Sequence, residues 1–77
     1  MVDYQKRMIE ERKELSERIA RAKEYLAKFE GQELDEKTTM LNAQYYAMKA
    51  YEFILSQRIL LELNEGSLTL EEVNGGK

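Results

Sequence analysis

The stretch M-L-N-A-Q-Y-Y-A-M-K-A-Y-E-F-I-L-S-Q-R-I-L-L-E-L, from Met40 to Leu63, decides how this chain folds. Sixteen of its 24 residues are apolar or aromatic. A surface helix needs an apolar stripe somewhat over about 100° wide, and here at least two stripes are filled. Leu41, Tyr45, Met48, Leu55 and Ile59 read as an oligomer face, and Tyr46, Ala50, Phe53 and Leu60 form a further apolar strip. A chain of 77 residues cannot cover all of this by itself, so a partner is expected, with a second copy of the chain as the default.

Composition narrows the means of stabilisation. There is no Cys, which excludes disulfides and thiolate zinc sites. There is no His either, so the commonest metal ligand and general base is missing. Zero Pro and four Gly favour long unbroken helices. The net charge of −3 and pI near 5.0, with no basic block, argue against duplex nucleic acid as a partner. No uncharged run reaches the roughly 18 residues of a membrane span. A cytosolic location is expected, with no membrane partner.

Two helices follow from the punctuation. Asp3 is read as the N-cap of a helix running to about Glu30. Its stripe is Tyr4, Met8, Leu15, Ile19, Ala22, Leu26 and Phe29, broken by Glu11 or Arg12. Glu14–Arg18, Glu17–Arg21 and Glu24–Lys28 are i,i+4 pairs on the outer face. Gly31 fits the end of this helix and Asp35 the N-cap of the next, which runs from about Glu36 to Asn64 before Gly66. The short connection returns the second helix antiparallel. The expected fold is therefore all-α: an antiparallel two-helix hairpin over residues 1–66, assembling into a homo-oligomeric helical bundle, with a short C-terminal tail over 67–77. In that tail Thr69–Glu72 reads as a capping box opening a single turn. Leu68, Leu70 and Val73 are expected to dock on the helices or on a neighbour, and residues 74–77 to fray.

Antiparallel pairing predicts that Leu26 meets Met40, Ile19 meets Ala47 and Leu15 meets Tyr51. Toward the open end Arg12 would fall near Ile54, Glu11 near Leu55 and Met8 near Arg58, with Tyr4 and Tyr51 close by. A structural reading pairs Glu11 with Arg58. A functional reading makes the cluster an anion site, since arginine forks suit phosphate and tyrosine faces suit a base. Gln44, Tyr51 and Arg58 lie seven apart on one stripe of the second helix. The candidate ligand-binding residues are thus Tyr4, Arg7, Arg12, Gln44, Tyr51 and Arg58. No nucleophile–base pair, phosphate-cradling Gly loop or metal motif accompanies them. Neither an enzyme, a cofactor nor a metal site is expected.

The pattern Tyr4-Gln5-x-Arg7-x-Ile9-x-Glu11-x-x-x-Leu15-x-x-x-Ile19, followed by Phe29, resembles a small phage hairpin family that includes proteins of crAss-like phages. Gln44-x-x-x-Met48-x-x-Tyr51-x-x-x-Leu55-x-x-Arg58-Ile59 resembles the same family more closely. The linker from Gly31 to Glu36 is shorter than that family's. The architecture is similar to phage anti-defence sponges such as the Sequestin-like proteins, small helical oligomers that sequester immune signalling nucleotides of CBASS or Thoeris systems. The resemblance implies sequestration of an anionic nucleotide, a cyclic oligonucleotide or an ADP-ribose derivative, without catalysis. The competing expectation is a module that docks a host defence or regulatory protein through the apolar face of the second helix.

Overall fold

The first helix, α1 (Asp3–Ala27), opens on a backbone and side-chain exchange rather than on Asp3. The computed structural model describes residues 1–75. In it Val2 is the N-cap, and its backbone N–H donates to Gln5 Oε1 at 3.1 Å. Asp3 instead occupies the first helical turn, where a carboxylate favours the positive end of the helix dipole. The helix also stops three residues before the expected Glu30. Lys28, Phe29 and Glu30 donate to Tyr25, Leu26 and Ala27, so the chain tightens into i→i+3 bonds that satisfy the last carbonyls. Gly31 then adopts φ +78°, which a side chain would resist.

The second helix, α2 (Glu36–Glu65), begins and ends as its sequence requires. Asp35 Oδ1 accepts the Thr38 N–H at 2.8 Å. At the other end Gly66 takes φ +82°, while Ser67 N–H donates to Glu62 O at 3.0 Å and Gly66 N–H to Leu63 O at 3.2 Å. That pair of bonds is a Schellman closure, and it needs a left-handed residue at Gly66. The two long helices form an antiparallel hairpin, and no strand occurs among the described residues.

After Gly66 the chain folds back. Leu68 is 2% exposed and joins Met8, Leu15, Ile19, Leu55 and Ile59 in the core. The expected capping box forms at α3 (Leu70–Val73). Thr69 Oγ1 accepts Glu72 N–H at 3.1 Å, and Glu72 Oε1 accepts Thr69 N–H at 3.0 Å. Val73 packs partly against the core, but Leu70 is exposed and does not dock on the helices of its own chain. Within a capping box only part of one turn can face inward, and Leu68 and Val73 take that side. Asn74 and Gly75 form a turn after α3, and the remaining two residues of the expected frayed end lie outside the described residues.

The principal correction concerns which face of α2 meets α1. Leu55 and Ile59 are buried, with Tyr45 and Met48 packed against them and Leu41 partly covered. This is the stripe the sequence reading gave to the oligomer. Met40, Ala47 and Tyr51, expected against Leu26, Ile19 and Leu15, are exposed. Met8 is buried while Arg58 is exposed, so that pairing does not form either. The difference is a rotation of α2 by about one residue, some 100°. Its physical cause lies in polar side chains at the seam edges: Arg12 Nε donates to Ser56 Oγ at 2.7 Å, and Ser16 Oγ donates to Glu52. Rotating α2 to bury Met40 and Tyr51 would break both bonds.

The open end of the hairpin is closed by a small polar network. Gln5 is 4% exposed, and its Nε2 donates to Glu62 Oε1 at 2.6 Å and to Ser67 O at 3.2 Å. It thereby ties α1 to the last turn of α2 and to the chain that follows. Gln5→Ala should lower stability by about 1–3 kcal/mol, because the acceptors it leaves behind stay partly desolvated. Chemical denaturation with an unchanged m-value would check this.

With Leu55 and Ile59 turned inward, α2 leaves a broad apolar face outside. Met40, Tyr46, Phe53, Ile54 and Leu61 are each 52–65% exposed. This face repeats every seven residues: Met40, Ala47, Ile54 and Leu61 form one line, with Ala43, Ala50 and Gln57 three residues on. Tyr46, Phe53 and Leu60 flank it on one side, and Gln44, Tyr51 and Arg58 on the other.

Candidate functional site

The six residues singled out by sequence do not form one cluster. Tyr4 donates its hydroxyl to Glu62 Oε1 at 2.8 Å, and Tyr51 donates to Glu11 Oε1 at 2.8 Å. These two bonds lie along one flank of the hairpin. Arg7 is on α1 three residues after Tyr4 and four before Glu11, hence on the same side of the helix. Arg58 stands two turns beyond Tyr51 on the same stripe of α2, about 10 Å along the axis. Arg12 is elsewhere: its partner Ser56 is five residues from Tyr51, about 140° around α2. Arg12 therefore edges the opposite flank, beside the Ser16–Glu52 bond. Gln44 shares the stripe of Tyr51 and Arg58, but stands about 21 Å from Arg58 along the helix axis.

Charge on this flank is mixed. Arg7 and Arg58 supply two cations, and Glu11 and Glu62 two carboxylates. Glu11 accepts from Tyr51, and no Glu11–Arg58 ion pair exists among the described residues. Arg58 and Arg7 are both exposed. The tyrosine rings are about half exposed, with hydroxyls anchored and faces open to solvent. The flank is a shallow wall. Two concavities among the described residues lie apart from it. One, of about 400 Å³, sits between α1 and α3 around Lys6, Ile9, Lys13 and Val73. The other, of about 340 Å³, sits at the loop end around Leu26, Phe29, Leu34 and Tyr45.

Both anchored phenols are held neutral. A hydrogen bond donated to a carboxylate raises the pKa of Tyr51 through Glu11 and that of Tyr4 through Glu62. A folded-state pKa above the unfolded value of roughly 10 gives stability that is full below that pH. It is lost as pH rises through the raised values. Alkaline titration followed by tyrosinate absorbance should show Tyr4 and Tyr51 ionising above the free-phenol value of roughly 10. Glu11→Gln should bring Tyr51 back toward the free-phenol value.

Sequence reasoning missed Gln5, Glu62, Ser16 and Glu52, the polar groups that fix the hairpin. A signal for two of them existed. Glu52, Leu55, Ile59 and Glu62 follow spacings of three, four and three, so two glutamates share the stripe of the two most buried α2 residues. Reading that stripe as the seam would have placed them.

The model of one protein family, described as Sequestin, matches residues 2–61. No curated protein and no solved structure matches the chain.

Proposed function

This chain belongs to the Sequestin family, and on that premise we propose that it is a phage anti-defence protein that sequesters an anionic nucleotide immune signal without catalysis. The ligand class is a cyclic oligonucleotide or an ADP-ribose-derived nucleotide. The site is the flank of Tyr4, Arg7, Tyr51 and Arg58, with Gln44 reading a polar edge. The observation that carries the reading is the pair of half-exposed tyrosine rings, pinned at their hydroxyls, beside two exposed arginines. Pinned rings lose little entropy when a base stacks on them, and guanidinium forks suit phosphate oxygens. Arg12, engaged with Ser56 on the far flank, acts in holding the two helices in register.

Sequestration needs tight binding and no bond-making, which fits a wall lacking a nucleophile–base pair. The protein acts in the infected host cell as a homo-oligomer. No described helix is long and apolar enough to cross a membrane. Isothermal titration with a panel of cyclic dinucleotides, cyclic trinucleotides and cyclic ADP-ribose variants tests the reading. One member should bind with a micromolar or lower Kd and be recovered chemically intact after heat release. Absence of heat with every member would remove the proposal.

A second reading rests on the exposed face of α2, where Tyr46, Phe53 and Leu61 stand open. It makes the chain a module that docks a host defence or regulatory protein. A monomer that captures one host protein at fixed stoichiometry favours it. A stable homo-oligomer that buries this face counts against it.

A further inference from the structure

The outer face of α2 has the properties of a surface made to meet its own copy. Its seven-residue repeat is a coiled-coil seam, distinct from the inner seam of Leu55 and Ile59. Its large apolar side chains, 40–65% exposed, still present on the order of 700 Å², near the roughly 800 Å² per partner of a standard interface. Lys49, near the ring of Tyr45, stands at the edge of this face, and Arg58 is the charge upon it between Met40 and Leu61.

The sequence of this face also fixes a direction. Parallel packing would stack Ala43, Ala47 and Ala50 on themselves and Ile54 and Leu61 on themselves, leaving three thin layers in a row beside thick ones. Antiparallel packing sets Ile54 beside the partner's Ala50 and Leu61 beside the partner's Ala43, so large side chains fill small gaps. The same register makes one border apolar, with Phe53 on the partner's Phe53 and Tyr46 on the partner's Leu60. On the other border Lys37 meets the partner's Glu65, an opposite-charge pair repeated by symmetry at both ends.

We propose that two copies pack α2 on α2 antiparallel about a two-fold axis that passes between Tyr51 and Phe53, and that each nucleotide site is built from both copies. This rests on the sequestration reading for the ligand, but not for the assembly. Within one chain Gln44 and Arg58 are about 21 Å apart along the helix, too far to hold one nucleotide. In the dimer, Arg58 lies beside the partner's Gln44, with the two Tyr51 rings between the paired sites. Each dimer carries two such sites, and a single hairpin carries only half of each.

Because the chain contains no Cys, engineered thiols report the register directly. Ala43→Cys and Leu61→Cys lie on the exposed face and leave the core intact. Mixed and oxidised, the two variants should give a disulfide-linked pair, while neither alone should cross-link efficiently. Self-cross-linking of either variant would establish a parallel seam and overturn the proposal, and so would failure of the mixture to link.

Shared sites are read separately, using the panel member that wild type binds. Gln44→Ala and Arg58→Ala should each bind weakly. After unfolding and refolding together they should recover about a quarter of the wild-type sites, since half the dimers are mixed and each restores one of two. No recovery would place the whole site within one chain. If wild type binds no panel member, the sequestration reading falls, whereas the thiol result still decides the dimer.

Discussion

Leu55→Ala should remove a large share of the stability of the isolated hairpin. Leu55 is fully enclosed, the most buried side chain of the core. Truncating such a leucine costs about 2–5 kcal/mol, part transfer and part cavity. A chain of this size holds only about 4–12 kcal/mol at typical values per residue, and its core is a single layer between two helices. Thermal melting at low protein concentration should show loss of the cooperative transition or a Tm lowered by well over 10 °C. Leu55→Met, which conserves volume, should cost less than about 1.5 kcal/mol. The neighbouring Ile54→Ala, at a residue 52% exposed, should leave the dilute-limit Tm within a few degrees and act on assembly instead. The contrast between adjacent positions tests the orientation of α2. Equal destabilisation by the two alanine variants would contradict it.

The second large effect concerns the two arginines that the structure separates. Arg58→Ala should weaken nucleotide binding by roughly ten- to a hundredfold, the worth of a lost charge-assisted pair of hydrogen bonds to phosphate. Arg58→Lys should recover only part of it, because a point charge cannot reproduce a bidentate fork. Arg12→Ala should leave binding within about twofold and lower the Tm, since its guanidinium spans to Ser56 on the far side of the seam. Titration calorimetry paired with melting curves separates the two. Equal loss of binding in both variants would return Arg12 to the site and refute the division drawn here.

These expectations also mark what was legible from the residues. The capping residues of α2 and α3 could be read directly, because each obeys local chemistry, whereas α1 is capped by Val2 and not by the expected Asp3. Asp35 caps α2, Gly66 closes it, and Thr69 with Glu72 opens α3. The end of α1 was read three residues too far. Whether a last turn is α or i→i+3 depends on how the following chain is pulled into the loop, not on its own propensity. Leu68 could be seen as apolar, but not as core, until the chain after Gly66 was traced back onto Met8.

The candidate site was legible in its residue types and only partly in its grouping. Tyr51 and Arg58 stand as neighbours on α2, with Tyr4 and Arg7 on the same flank. Arg12 could not be separated from them without the rotation of α2, and although Glu11 and Glu62 could be placed near this end, their pairing with Tyr51 and Tyr4 could not be read. A hydrogen bond between residues 58 or 40 positions apart leaves no local trace in the sequence.

By itself the sequence determined two long helices, a tight reversal between them and an excess of apolar surface on the second. Each is written in caps, glycines and composition, which act over a few residues. Which apolar face of α2 turns inward was decided only by the tertiary structure. Both faces are hydrophobic enough to form a seam, so burial alone is nearly indifferent between them. The choice falls to interhelix bonds that only one rotation can make, Arg12 to Ser56, Ser16 to Glu52 and Gln5 to Glu62. Those bonds send the other face, with Gln44, Tyr51 and Arg58 along its edge, outward.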